Sequence, residues 1–394
     1  MVSAAGLSQR VARLSPSATL SISALAKAMR AEGLDVCILS AGEPDFDTPE
    51  HIRAAAIRAL EEGKTRYGPT AGIPALRQAV ADKLRRENGL DYSPDQILIS
   101  NGGKQTLFNL AMVLLDPGDE VILPVPYWVS YPEMVALAGA KVVRVETQEA
   151  QGFKLTAAQL RQALTPRSKL LILNSPANPT GAVYHRHELE ALAEVLLSAP
   201  HLYVVCDEIY EKLVYGQARH ISLGSLSPEL LPRTILSSGF AKAYAMTGWR
   251  IGYLAGPKPI IEAAINLQSH STSNVCTFAQ YGALEALTNP LSAAAAEKMR
   301  QEFWQRRDLM VQGIRALPGV TCPEPEGAFY VFLNIGQTGL SSVEFCQRLL
   351  KEHQVAAVPG VAFGADAYIR LSYAADRATL EKGLERLHRF LSSL

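Results

Sequence analysis

The chain has 394 residues, 48% of them apolar and 19% charged, which suits a soluble globular protein of two domains or more. Thirty-eight basic side chains balance 38 acidic ones, so no net field draws it to nucleic acid or an anionic membrane, and charge recognition must come from local pockets. Five cysteines (Cys37, Cys206, Cys276, Cys322, Cys346) without CxxC spacing argue against a disulfide framework or a zinc site, and read as buried structural thiols in a reducing compartment. With no apolar leader and no apolar run of about 18 residues, the expected setting is the cytoplasm.

Residues 1–15 are polar and mixed and read as an arm. A helical pattern over 24–31 and a strand over 36–40 lead into the turn-rich Ala41-Gly42-Glu43-Pro44-Asp45-Phe46-Asp47-Thr48-Pro49. A helix is expected over 50–62, with Thr48 as N-cap and Pro49 at its first position. Strands are expected over 97–100, 120–125, 141–146, 169–174, 202–207, 234–238 and 252–255, with helices such as 104–115 and 187–197 between them. Several of these strands are near-continuous apolar runs, the mark of a sheet covered on both faces. This predicts an α/β domain around a central, mainly parallel seven-stranded sheet. After about residue 290 come a long helix (293–317), short strands near 328–333 and 368–373, and helices over 342–353 and 377–394, which read as an α+β terminal domain. The expected division is an arm (1–15), the first part of a small domain (16–47), a large domain (48–289) and the rest of the small domain (290–394).

Four stretches carry candidate chemistry. Asn101-Gly102-Gly103-Lys104-Gln105 follows a strand and opens a helix, where backbone N–H groups and the helix dipole can hold a phosphate; a plain strand–turn–helix corner reads equally well. Asn174-Ser175-Pro176-Ala177-Asn178-Pro179-Thr180-Gly181 is a stiff turn that either aims the Asn178 amide at a ligand or is only structural. Cys206-Asp207-Glu208-Ile209-Tyr210 places an acid at the carboxyl end of a strand, to meet a ligand or cap a helix. In the run 237–252, Lys242 stands among small residues with Arg250 eight positions on; it is either a lysine of lowered pKa suited to a Schiff base, beside a phosphate-gripping arginine, or a snorkelling lysine beside a surface arginine. The eight histidines show no metal-ligand spacing, and no metal is expected.

Together with Ala41-Gly42-Glu43-Pro44-Asp45-Phe46, Tyr67-Gly68, Pro126-Tyr127-Trp128 and Arg370-Leu371-Ser372-Tyr373, these stretches resemble the fold-type I, pyridoxal-phosphate-dependent aminotransferases, in particular the bacterial Iβ aspartate aminotransferases. The resemblance spans nearly the whole chain, with eight motifs in the family's order. It implies pyridoxal 5'-phosphate as cofactor, amino acids and 2-oxo acids as small-molecule partners, and a homodimer with sites at the interface. It also implies that Lys242 is the Schiff-base lysine and proton shuttle, that Asp207 pairs with the pyridine nitrogen, and that Asn178 and Tyr210 hold the ring 3-oxygen. Trp128 would stack on the ring, and Arg250 with Gly103, Lys104 and Gln105 would hold the phosphate, joined by Tyr67 of the second subunit. Arg370 would clamp the substrate α-carboxylate under the Gly42 backbone, with Trp128 and Asn178 also lining the substrate.

Two departures matter. Gly239 and Ala241 stand where the enteric and animal enzymes have phosphate-binding serines, which leaves Ser238 as the serine to consider. Their partner-subunit arginine for the distal carboxylate has no counterpart; in the Iβ subgroup a lysine of the glycine turn does that work, and Lys104 matches it. Ser15 takes the place of a basic arm residue shared by prephenate-accepting members, so weak or no prephenate activity is expected. The implied reaction is transfer of the amino group of L-aspartate to 2-oxoglutarate by a ping-pong mechanism. The rivals are aromatic, alanine, methionine or prephenate specificity, and β-lyase or aminocyclopropane-carboxylate synthase chemistry on the same fold. A transcription regulator would need a helix-turn-helix domain ahead of residue 1, and a nicotinamide oxidoreductase would need the absent GxGxxG fingerprint.

Overall fold

The structure is a computed structural model that describes residues 6, 8–12, 14 and 18–394. Ser15 and most of the expected arm lie outside the described residues. A short strand, β1 (Cys37–Ile38), precedes the strands of the main sheet: β2 (Ile97–Ser100), β3 (Glu120–Val125), β4 (Lys141–Glu146), β5 (Ser168–Asn174), β6 (Tyr203–Asp207), β7 (Thr234–Gly239) and β8 (Gly252–Ala255). They lie in the order β2-β8-β7-β6-β5-β3-β4, and only β8 runs antiparallel to its neighbours. The α/β class and the mainly parallel seven-stranded sheet are therefore as the sequence implied. Alternate residues explain why the strands read as continuous apolar runs. Leu170, Ile172 and Val205 join the core on one face, while Leu171, Leu173, Val204 and Cys206 join the core on the other.

A second body of structure gathers around β9 (Tyr330–Asn334), β10 (Val355–Ala356), β11 (Val358–Pro359) and β12 (Tyr368–Ser372). Its core draws Phe303, Met310 and Ile314 from the Leu291–Arg315 helix and Leu380, Leu387 and Phe390 from the Arg377–Ser392 helix. Cys37 and Leu39 belong to that same core, because β1 pairs in parallel with β10, Cys37 opposite Val355. The segment around β1 thus folds with the end of the chain, while residues 52–92 pack with the main sheet.

Two local expectations change. Thr48 does not cap the Glu50–Glu61 helix, whose N-cap is Pro49 with no side-chain bond. Its hydroxyl instead donates to the Ala245 carbonyl at 2.6 Å and accepts from the Trp249 indole at 3.0 Å, tying the 41–49 turn to the loop that carries Lys242. Nor are all five cysteines buried: Cys37, Cys206 and Cys346 are, but Cys322 is half-buried and Cys276, preceding the Thr277–Thr288 helix, is exposed.

Candidate active site

The carboxyl ends of the central strands open into a cavity of about 240 Å³. Gly42, Gly103, Lys104, Trp128, Asn178, Asp207, Tyr210, Lys242, Arg250 and Arg370 of the expected site residues all line it. Segments more than 300 residues apart in sequence meet there, because central strands end on this side of the sheet, the position where ligands bind in open α/β sheets, while Arg370 reaches in from the middle of β12 in the smaller sheet.

Lys242 lies just past β7, and its ammonium donates to the Gly42 carbonyl at 2.5 Å. Burial, with Arg370 and Arg250 nearby, outweighs the pull of Glu43 and Asp207 and lowers its pKa to about 8. Asp207 ends β6, where burial raises its pKa to about 6 against the opposing hydrogen bonds. The Tyr131 hydroxyl donates to its Oδ2 at 2.7 Å, and the Ile209 N–H reaches its Oδ1 at 3.3 Å. Asn174, at the end of β5, fixes the neighbouring turn: its amide donates to the Asp207 carbonyl at 2.9 Å and its Oδ1 accepts the Asn178 N–H at 2.8 Å. The Tyr210 hydroxyl meets that of Tyr330 at 2.8 Å.

Arg370 projects from β12 and is only 2% exposed. It donates to Asn178 Oδ1 at 2.9 Å and to the Ser40 carbonyl at 3.0 Å, and its guanidinium lies 4.3 Å from the centre of the Tyr330 ring. Its buried Nε has no partner among the described residues. Lys104 sits in the first turn of the Gly103–Leu114 helix with its amine 4.9 Å from the centre of the Trp128 ring. Burial, then the charge of Arg250, depresses its pKa. Arg250 itself has φ of +56°, an uncommon left-handed conformation, and its guanidinium donates to the Thr247 carbonyl at 2.9 Å. A Cβ added to Gly102 would come within 2.7 Å of that guanidinium, and one at Gly252 would come within 2.5 Å of the Gly103 nitrogen, so both glycines keep the turn close-packed around the helix start.

Three expected residues stand off the cavity. Gln105 turns its side chain away, accepting from the Asn101 N–H at 2.6 Å and donating to Thr272 at 2.7 Å, and its own N–H is bonded to the Gly102 carbonyl at 3.0 Å. Ser238 is 1% exposed, and its hydroxyl points to the Glu208 carbonyl at 3.4 Å. Tyr67 is 91% exposed on the surface of the chain. Conversely, Tyr131, Asn174 and Tyr330 line the cavity unforeseen. Neither Tyr131 nor Tyr330 offered a sequence signal of its own.

The family model for aminotransferase class I and II matches residues 35–387. The chain belongs to the class I and II aminotransferases. An aspartate aminotransferase of Geobacillus stearothermophilus is 51% identical over 98% of the chain and 99% of its own length. An aspartate/prephenate aminotransferase of Thermus thermophilus is likewise 51% identical, again over 98% and 99% of the two chains. The solved structure of an aspartate aminotransferase from Thermus thermophilus with maleate superposes with a TM-score of 0.94 at 50% identity, covering 98% of this chain and all of that one. As a class I and II aminotransferase the chain is an enzyme that uses pyridoxal 5'-phosphate. The cavity suits that group: it pairs a lysine of lowered pKa with a buried acid, and it sets Arg250 and a helix N-terminus side by side where a phosphate can lie.

Proposed function

We propose that this enzyme moves the amino group of L-aspartate to 2-oxoglutarate, giving oxaloacetate and L-glutamate, in two half-reactions at one site. The charge of the cavity carries the reading. Lys104, Lys242, Arg250 and Arg370 face it against a single carboxylate, Asp207, among its described lining residues. A cofactor phosphate and a substrate with two carboxylates offset that excess, whereas a monocarboxylic donor leaves Lys104 unmatched. The aspartate aminotransferases at about half identity over nearly the whole chain support the same conclusion.

Bound, pyridoxal 5'-phosphate supplies an electron-withdrawing ring that stabilises negative charge at the substrate Cα. The protein does the rest. The Lys242 amine, about half deprotonated near pH 8, binds the cofactor and moves the proton at the substrate Cα. Asp207 holds a proton at the ring nitrogen, and Tyr131 keeps its carboxylate oriented. Because Asn178 already accepts from Arg370 through Oδ1, its NH2 end serves the ring 3-oxygen, together with Tyr210. Trp128 covers the ring face and excludes water. Arg250 and the N–H groups at the start of the Gly103–Leu114 helix grip the phosphate, and Tyr67 of a second copy completes that grip across a homodimer interface. Arg370 takes the α-carboxylate bidentately, its unpartnered Nε giving it a donor to spare, and Lys104 takes the distal carboxylate.

The large domain over 48–289 and the small one over 16–47 with 290–394 are part of the same proposal, supported by the β1–β10 pairing. Closure of the small domain would bring Gly42 and Arg370 over the substrate. The decisive variant is K104A. It should raise the KM for aspartate about tenfold or more, as loss of a charge-assisted bond does, and leave the KM for a monocarboxylic donor nearly unchanged. Equal effects on both donors would remove the dicarboxylate argument.

A further inference from the structure

Directly behind Asp207 lies a buried set of charges that the reaction does not use. Glu208 follows Asp207 in the chain but turns its carboxylate the other way, where its Oε2 accepts from Ser222 at 2.6 Å and from Asn88 at 3.2 Å and stands 2.8 Å from His220 Nε2. Lys83 forms an ion pair with Glu211 and donates to Asn88 Oδ1 at 2.8 Å, and Asn88 donates to Glu211 at 2.9 Å. The side chains of Lys83, Glu208, Glu211 and His220 are exposed by only 3, 4, 9 and 11%. Glu208, Glu211 and His220 lie close enough to grip a cation, but the Lys83 ammonium already stands among them.

Two carboxylates and one lysine leave the cluster one positive charge short. His220 is placed to supply it, 2.8 Å from Glu208, although its buried Nδ1 has no partner among the described residues; burial favours its neutral ring, but the Glu208 carboxylate outweighs that and raises its pKa. Lys83 is also held charged, Glu211 overcoming the effect of burial, and Glu211 is lowered to about 2 by Lys83 and His220 against burial. Beyond these, Glu87 from the Leu84–Asn88 π-helix, Tyr92, Cys206 from β6, Tyr244 and Tyr253 from β8 also face the cluster. Broken buried pairs are costly, so Glu208 is fixed in place. Its backbone is fixed too: the N–H donates to the Ser237 carbonyl at 2.9 Å, and the carbonyl faces Ser238. One peptide link away, Asp207 has little freedom.

We infer that His220 is a positioning residue for Asp207, acting through the charge balance that holds Glu208. This rests on the reading that Asp207 meets the cofactor nitrogen. It gives Ser238 a place as well, as a clamp on the Glu208 backbone.

The test compares holoenzymes of H220Q, which keeps a donor but drops the cation, and E208Q/H220Q, which restores the balance of charge. Three readouts are taken: retention of pyridoxal 5'-phosphate on dilution, the pH midpoint of the bound cofactor's absorbance, and the melting temperature of the apo-protein. H220Q is expected to weaken retention about tenfold, the scale of coupling within one buried network, and to move the midpoint, and the double variant to recover most of both. Parent-like behaviour of H220Q overturns the inference, as does a double variant as impaired as H220Q. Should H220Q fail to fold, S222A removes a donor from the same carboxylate without changing charge; it is expected to move the midpoint and weaken retention, and a midpoint and retention like the parent's overturn the inference. D207N is run alongside. If it titrates like the parent, the reading of Asp207 fails, and the inference is not what has been refuted.

Discussion

Lys242 holds its proton poorly because burial strips water from the charge while Arg250 and Arg370 repel it. This sets a sign. Its folded pKa of about 8 lies below the 10.5 of a free lysine, so between those values the unfolded chain binds more protons and stability of the apo-protein rises with pH. Below pH 8 the full penalty applies, on the order of 3 kcal/mol at 1.36 kcal/mol per unit. K242M should therefore abolish transamination yet raise the apo-protein's melting temperature at pH 7, with the gain shrinking towards pH 10.5. A calorimetric series over pH checks this; a gain independent of pH would mean that packing, and not charge, is responsible. Lys242, Asp207 and Asn178 stood out in the sequence because each is a polar residue at a strand end or in a turn that needs a reason for it, whereas Arg370, in the middle of β12, was reached only through the family resemblance. Tyr131 and Tyr330 did not stand out, since an aromatic residue near an apolar run reads as core until its hydroxyl is seen to meet Asp207 or Tyr210.

At the level of elements, the glycine turn before the Gly103–Leu114 helix and the left-handed Arg250 work as a pair. Gly102 has φ of +85° and sits against the guanidinium. G102A should displace Arg250 and weaken cofactor retention about tenfold, the worth of one charge-assisted bond, which equilibrium dialysis can read. Unchanged retention would show that Arg250 does not hold the phosphate. A second juncture joins the turn after β4 to the sheet that carries Arg370. Glu149 accepts from Asn334 at 2.8 Å and from Tyr368 at 2.9 Å, and Phe153 packs edge-on against Phe332 and Tyr368. Tyr368 and Arg370 are alternate residues of β12, so E149A should raise the KM for aspartate and lower stability by about 1 kcal/mol. A change in stability with KM untouched would confine Glu149 to a structural part. Thr48 shows where element-level reading falls short. A Thr-Pro before a helix reads as a cap from local rules, yet its hydroxyl serves residues about 200 positions away.

For the molecule as a whole, the main sheet could be read strand by strand because apolar runs with punctuating turns are local signals. The resemblance grouped 16–47 with 290–394, but the pairing of β1 with β10 that joins them could not be read. Each is two residues long and their partners are more than 300 positions apart, and the shared core around Cys37 and Leu39 shows how they meet. That join closes the site, since Ser40 and Gly42, just past β1, receive bonds from Arg370 and Lys242. The four basic groups facing one carboxylate are likewise a property of the assembled cavity, which no single motif displays. Substrate choice follows from that balance and is the central claim. It is tested most directly by offering the purified enzyme, with pyridoxal 5'-phosphate, a panel of amino donors and keto-acid acceptors that includes prephenate. Efficient transfer from aspartate to 2-oxoglutarate is the predicted result; good transfer from another donor and none from aspartate would contradict it.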